Sequence, residues 1–397
     1  MIRRPPRSTL SSSSAASDVY KRQIEGMESF KGESFHTSRW NYNVDLKGKR
    51  VGVIGTGATA VQIVPEIAKV VKELYVFQRT PSSIDVRDQR ETTQEEIDQW
   101  KTEPGWAKAR RARFAKISSG RTALKANDEY LAGKVADFKE RKQHARELTA
   151  EEMMTKQLDT NFRIMEQIRT RVDNIVEDPE IAQSLKPYYP YGCKRPAFHD
   201  EFLPTFNLPH VNLVDTAPSG VSKINERGVI HEGKEYPLDV LIYATGFKWM
   251  EAATFNMVEG KGGQTLQEKW QEKGTQTFLG IHSNGFPNLF IVAGPQGGGG
   301  SFNFTDALEV HGDYLVWLLE TMREKGASAV DVDKAQEEAY VEHCRQVDIQ
   351  TSAFRDCYSY YNGEGKAEPG SLSYYGGGRW HKYRVQAQET LEPYVFN

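Results

Sequence analysis

Apolar and polar positions along the chain follow two rhythms, one suited to buried strands and one to amphipathic helices. Arg50-Val51-Gly52-Val53-Ile54 is a short, nearly continuous apolar run that enters a glycine turn, the pattern of a strand covered on both faces. After the turn, Val61, Val64, Ile67, Ala68 and Val71 recur at helical spacing and predict a helix. Leu74-Tyr75-Val76-Phe77 predicts the next strand. From Asp85 to about Leu185 the chain is dense in charge and poor in Gly and Pro, which predicts several amphipathic helices. Val211 to Asp215 reads as a returning strand, and Val221 to Tyr236 as a hairpin turning at Glu226-Arg227-Gly228 and Glu232-Gly233. Leu289 to Ala293 predicts another strand, and a helix is expected to begin near Thr305. Strands alternating with helical stretches put the chain in the α/β class.

Composition narrows the function. The 397 residues allow two domains of ordinary size. Lys and Arg number 51 against 54 Asp and Glu, a formal charge of −3, so no general field draws the chain to nucleic acid or anionic lipid. The basic run Ala109-Arg110-Arg111-Ala112-Arg113 has acidic residues nearby and reads as a solvated helix face. No apolar run approaches the roughly 18 to 20 residues of a membrane span. Cys193, Cys344 and Cys357 are too few and too scattered for a disulfide framework or a thiolate metal site; no metal is expected. What remains is a cytoplasmic protein, most often an enzyme. Met1 to Gln23 is basic and Ser-rich with no apolar stripe. It resembles a translated sequencing adapter more than a transit peptide, so a non-native or disordered lead is expected there.

Gly55-Thr56-Gly57-Ala58-Thr59-Ala60 is a G-x-G-x-x-A sequence between a strand and a helix. The first glycine permits the tight turn, the second lets backbone amides approach a pyrophosphate, and the small last residue allows close helix–strand packing. These six residues, with Gln62 in the following helix, are expected to bind a dinucleotide. The end of the second strand selects which one. An NAD site needs an acid there for the ribose hydroxyls, whereas Gln78-Arg79-Thr80 stands here with no acid before Asp85. The planar fork of Arg79 suits a 2′-phosphate, so NADP is expected on Arg79 and Thr80; the alternative is a solvated surface arginine.

Upstream, Phe30, Gly32, His36 and Trp40 fall in the order F-x-G-x-x-x-H-x-x-x-W. This resembles the fingerprint of Baeyer–Villiger monooxygenases, which continues with Pro or Asp where Asn41 stands here. Tyr243-Ala244-Thr245-Gly246-Phe247 resembles the stretch by which class B flavin monooxygenases return from the NADPH domain to the FAD domain. Phe286 to Pro295 looks like the family strand leading to the flavin ring. From these, Thr245, Gly246, Gly294 and Pro295 are implied cofactor residues. Tyr191-Gly192-Cys193-Lys194-Arg195-Pro196 resembles the segment that places a Lys and an Arg between the two cofactors. It implies Arg195 as the catalytic arginine and Lys194 as a second cation on the 2′-phosphate; the alternative is a surface pair. Ser359-Tyr360-Tyr361-Asn362-Gly363 resembles the S-W-Y-x-G segment, with Tyr360 in place of the tryptophan beside the nicotinamide.

The resemblance implies a flavoprotein with two dinucleotide-binding domains. It divides the chain into the lead (1–23), a linker with the fingerprint (24–49), an intact NADPH-binding Rossmann domain (50–243, with a helical insertion at about 85–185) and the C-terminal part of an FAD-binding domain (244–397). The family's first GxGxxG, for FAD, has no counterpart in Ile24 to Ile54, so the chain reads as N-terminally truncated and inactive by itself. The implied chemistry is insertion of oxygen from O2 beside a ketone carbonyl through a flavin C4a-peroxide, giving an ester or lactone. An N- or S-oxygenating flavin monooxygenase and a non-catalytic NADPH-binding fragment are the alternatives.

Overall fold

The computed structural model of the chain describes residues 24–111, 150–246, 253–292, 294–297, 304–351, 359 and 378–397. Contacts divide it into two compact units, one from the described residues of Met1–Gln89 and Asp159–Ala253, the other from those of Arg90–Leu158 and Thr254–Asn397.

The strands of the first unit are, in chain order, β1 (Glu33–His36), β2 (Arg50–Ile54), β3 (Glu73–Gln78), β4 (Ile84–Asp85), β5 (Ala197–Phe198), β6 (Val211–Asp215), β7 (Lys223–Ile224), β8 (Gly228–His231), β9 (Lys234–Pro237) and β10 (Val240–Tyr243). Five of them form one parallel sheet in the order β1-β10-β2-β3-β6. Val51 to Ile54 and all of β10 are buried, because the central strands of a parallel sheet are covered on both faces. The helix Ala58–Ala68 follows β2 and buries Ala60, Val61, Val64, Ile67 and Ala68, the stripe that the sequence predicts. These residues form one core with Val51, Val53, Leu74, Val76, Val240 and Ile242.

The sheet holds one departure from expectation. The segment read as a linker supplies β1, an edge strand paired with β10 from Glu33–Val240 to His36–Tyr243. Its ladder partner among the described residues comes from the far end of the unit's sequence, so no local pattern exposes it. The expected hairpin is a three-stranded meander, β7-β8-β9, with both turns where Gly228 and Gly233 were read. Of the expected helical insertion, Gln94–Thr102, Ala150–Ile175 and Pro179–Leu185 are helices; 112–149 lies outside the described residues, and Arg90–Leu158 groups with the second unit.

That second unit is mainly helical, with Leu266–Lys273, Phe304–Glu324, Lys334–Thr351 and Gly378–Thr390 around a two-stranded antiparallel ladder, β11 (Val330–Val332) with β12 (Tyr394–Phe396). Phe278, Leu279, Ile281, Tyr314, Leu318, Tyr340, Trp380 and Tyr394 are its core. The helix expected near Thr305 begins at Phe304. The strand expected at Leu289 to Ala293 is not formed over Leu289–Val292, and Ala293 is outside the described residues. A strand needs a flanking strand for its backbone groups. Here the Ile291 amide donates singly to the Ile281 carbonyl at 2.7 Å, and Leu289 and Ile291 pack on Leu266, Trp270 and Phe286. Among the described residues no helix is long and apolar enough to cross a membrane.

Candidate functional site

Strands β2, β3 and β6 step in chain order to one side, while β10 lies on the other side of β2. The order therefore reverses between β2 and β10, and in open α/β sheets ligands bind at the carboxyl ends of strands at such a switch. Gly55 stands in it. Its φ is +111°, and a Cβ there would lie 2.5 Å from the Ala244 carbonyl oxygen, so this position admits glycine alone. Around Gly57 a Cβ would meet nothing within 4 Å, and the helix that it caps has no side-chain cap. The first-turn amides of Ala58, Thr59 and Ala60 are thus available to a ligand's phosphates. Ala60 is fully buried, as close packing of the helix on the sheet requires. The Thr245 hydroxyl oxygen, just beyond β10, is buried and has no hydrogen-bond partner among the described residues. Gly246 is open on its Cβ side. This set fits a dinucleotide.

Two of the expected binding residues use their side chains internally. Thr56, buried, donates its hydroxyl to the Thr80 carbonyl at 2.8 Å, and Ser82 returns a 2.6 Å bond to the Thr56 carbonyl. The glycine turn is thereby tied to the loop after β3. Gln62 donates to the Ala58 carbonyl at 2.9 Å.

Arg79 is exposed and, among the described residues, has neither an ion pair nor a hydrogen bond; its stem runs past Gly220, whose Cβ would lie 3.4 Å from Arg79 Cδ. Lys194 and Arg195 approach the same loop from the other side of the sequence. β4 pairs in parallel with β5, and Ser83 is held twice: its amide donates to the Tyr189 hydroxyl at 2.9 Å, and its carbonyl accepts from the Ala197 amide at 3.0 Å. Asn161 exchanges two 2.8 Å bonds with the Tyr191 backbone. Burial, with Asp85 adding, pushes the Tyr191 phenol up to about 12. Arg195 is exposed. Cys193, beside the pair, is buried, as is Cys344 in the second unit. Sequence reasoning missed Ser83, Asn161 and Tyr189, which carry no motif and act through contacts distant in sequence.

The fingerprint residues divide between packing and site. Gly32 is required because a Cβ would lie 2.6 Å from the Asp239 carbonyl and 2.5 Å from Phe30 Cζ. Phe30 and Trp40 pack on the cores, Trp40 edge-on to Phe35 at 5.1 Å. His36 is buried at the carboxyl end of β1, opposite Tyr243, with Nδ1 accepting from the Ser38 amide at 3.1 Å. Burial raises the Tyr243 phenol well above its ordinary value.

In the second unit, Gly294 and Pro295 belong to a turn buried against Leu279 and Gly280; a Cβ on Gly280 would reach Gly297 Cα and the Pro295 carbonyl. Between them Gln296, also missed, is a buried hub. It accepts from the Thr277 hydroxyl (2.6 Å), donates to the Thr275 carbonyl (3.1 Å), and offers its carbonyl to the Tyr340 hydroxyl (2.6 Å). His311 bonds the Gly297 carbonyl at 2.7 Å and stacks on Trp380. Tyr360 lies outside the described residues.

A family model described as flavin-binding monooxygenase-like matches residues 12–92. The Baeyer–Villiger monooxygenase ATR8 of Stachybotrys chlorohalonatus is 40% identical over 353 residues, 84% of this chain and 55% of that protein. The structure of the polycyclic ketone monooxygenase of Thermothelomyces thermophila, 33% identical, superposes with a TM-score of 0.80 over 94% of this chain and 65% of its own. This chain is a homologue of Baeyer–Villiger monooxygenases. The structure of OTEMO in complex with FAD and NADP, 26% identical, covers 94% of this chain and 72% of its own at a TM-score of 0.77. Against eight curated relatives, the homologue spans between 53% and 64% of their length.

Proposed function

We propose that this chain belongs to an NADPH- and FAD-dependent Baeyer–Villiger monooxygenase that converts a ketone and O2 into an ester or lactone. The observation that carries the reading is the glycine turn at the sheet's switch point, joined through Thr56 and Thr80 to the loop of an Arg79 that has no protein partner among the described residues. The turn's amides hold the pyrophosphate of NADPH, and Arg79 with Thr80 and Lys194 holds the 2′-phosphate. Arg195 keeps a permanent positive charge for the oxyanion formed at the ketone carbon; a lysine there could give up a proton and quench an anionic nucleophile. FAD supplies, when bound, the activation of oxygen. Gly294 and Pro295 are the residues proposed to face it, Thr245 and Gly246 are proposed cofactor residues after β10, and His36 shapes the carboxyl edge of β1. Within the first unit a proposed Rossmann domain binds NADPH, and residues from 244 onward contribute to the flavin domain.

The test is reconstitution with FAD and NADPH under ¹⁸O2 of the protein completed by an N-terminal FAD-binding segment; the 397-residue chain alone is expected to bind NADPH without oxygenating a ketone. Ketone-dependent NADPH consumption with one labelled oxygen in an ester supports the reading. Labelled N-oxide or sulfoxide without ester assigns the protein to the nitrogen- or sulfur-oxygenating class instead. NADPH binding with no oxygenation of any of these substrates identifies a non-catalytic nucleotide-binding chain.

A further inference from the structure

Tyr189 belongs to no motif, yet it touches both Lys194 and Ser83, which follows Arg79 in the loop after β3. Its hydroxyl accepts the amide of Ser83, itself wholly buried, at 2.9 Å. Its ring lies under the Lys194 ammonium, with Nζ 5.6 Å from the centroid. The two residues that bind the Ser83 backbone are Tyr189 and Ala197, so Lys194 hangs on a short span pinned at both ends to one residue. From Ser83 the chain runs back through Ser82 and Thr80, both hydrogen-bonded to Thr56, to Arg79. A continuous set of bonds therefore connects the glycine turn, the Arg79 loop, the Tyr189 ring and the Lys194 side chain. A lysine stem is flexible, and an ammonium held over an aromatic face is fixed in direction at little cost in solvation.

We infer that Tyr189 is a positioning residue for 2′-phosphate recognition: its ring seats the Lys194 ammonium beside the loop carrying Arg79, and its hydroxyl anchors that ring to Ser83. The inference rests on the proposed assignment of Lys194 to the 2′-phosphate. It adds that discrimination between phosphorylated and unphosphorylated adenosine depends on a residue that never touches the nucleotide.

The experiment measures binding of 2′,5′-ADP and of 5′-AMP to the purified 397-residue chain by calorimetry, for the parent, Lys194→Ala, Tyr189→Leu, Tyr189→Phe and the double variant Tyr189→Leu with Lys194→Ala. The ratio of the two affinities is the readout, and because 5′-AMP reports the rest of the site, general loosening of the fold cancels. Lys194→Ala is expected to lower the ratio about tenfold or more, as loss of a charge-assisted bond does. Tyr189→Leu lowers it about two- to fivefold, Tyr189→Phe keeps the larger part of it, and the double variant is no lower than Lys194→Ala alone. If Lys194→Ala lowers the ratio while Tyr189→Leu leaves it unchanged, or if the two losses multiply in the double variant, the positioning role is overturned and the nucleotide site stands. A ratio unchanged in Lys194→Ala removes Lys194 from the 2′-phosphate and overturns both. Should Tyr189→Leu fail to melt cooperatively, Tyr189→Phe decides: a ratio as low as that of Lys194→Ala overturns the ring as the seat.

Discussion

The backbone at Gly55 and the carbonyl of Ala244 approach so closely that a methyl group on Gly55 would lie 2.5 Å from that oxygen. The turn proposed to hold phosphate thus leans on the residue that follows β10. Gly55→Ala meets both this contact and a φ of +111°, and is expected to cost more than about 2 kcal/mol in folding stability. Urea denaturation of the two proteins, with NADPH titration of whatever remains folded, measures both effects. Wild-type stability in the variant shows that the turn can shift away from Ala244.

Arg79→Ala is expected to weaken NADPH relative to NADH by roughly 1.5 to 3 kcal/mol, the range of a hydrogen bond to a charged group. NADH affinity itself stays near its starting value, since no described residue depends on Arg79 for a bond. Paired calorimetric titrations with the two nucleotides check this. Equal losses for both would point to a structural role for Arg79 in its loop.

Arg195→Ala separates binding from chemistry. In the completed, FAD-loaded enzyme NADPH binding is expected to persist, while ester formation falls about a hundredfold or more, as for removal of one oxyanion donor. Product analysis alongside NADPH oxidation distinguishes this from a loss of hydride transfer. Near-normal ester yield would take Arg195 out of the reaction.

Asp239 gives the first unit a defined acid sensitivity. Its carboxylate accepts the Arg50 side chain at 2.8 and 3.3 Å and the Arg50 amide at 2.8 Å, and the Arg50 guanidinium, ahead of the opposing effect of burial, lowers its pKa to about 2. An unfolded Asp titrates near 3.9. The stabilisation is therefore complete above about pH 4 and lost as the pH falls toward 2. Both side chains remain more than a third exposed, so solvent screening keeps the effect to about 1 kcal/mol or less. The difference between denaturation midpoints at pH 5 and pH 2.5 should narrow in Asp239→Asn; an unchanged difference would place the acid-labile groups elsewhere.

What the sequence disclosed and what it withheld follow from the range of the interactions involved. The strand, turn and helix around Gly55 are set by neighbours within about twenty positions, and their apolar spacing and glycines were legible. Glu33 to His36 escaped as a strand because its partner β10 lies at the far end of the unit's sequence, and four polar or aromatic residues carry no period long enough to read. Leu289 to Val292 failed in the opposite sense: apolar enough for a strand, it lacks a flanking strand among the described residues and turns its side chains onto Trp270 and Phe286. At the site, Arg79 and Lys194 were visible as residue types, but Tyr189, Ser83 and Gln296 were not. Each works through backbone bonds between segments that only the fold brings together.

The position of β10 in the sheet has a consequence for how the protein acquires its structure. β10 is both the last of the five strands to leave the ribosome and the one seated between β1 and β2. Until it arrives, β2 and β3 can pair, β6 can join them, and β1 has no ladder to enter. Closing those contacts spans most of the unit's sequence, and pairings of such high sequence separation are slow because their chain entropy is lost before any contact is gained. During that interval one side of β2, apolar from Val51 to Ile54, presents open backbone groups. Ala244, on which the Gly55 turn leans, is brought in by the same event, so under the proposed function the nascent chain gains affinity for dinucleotide only once β10 has docked.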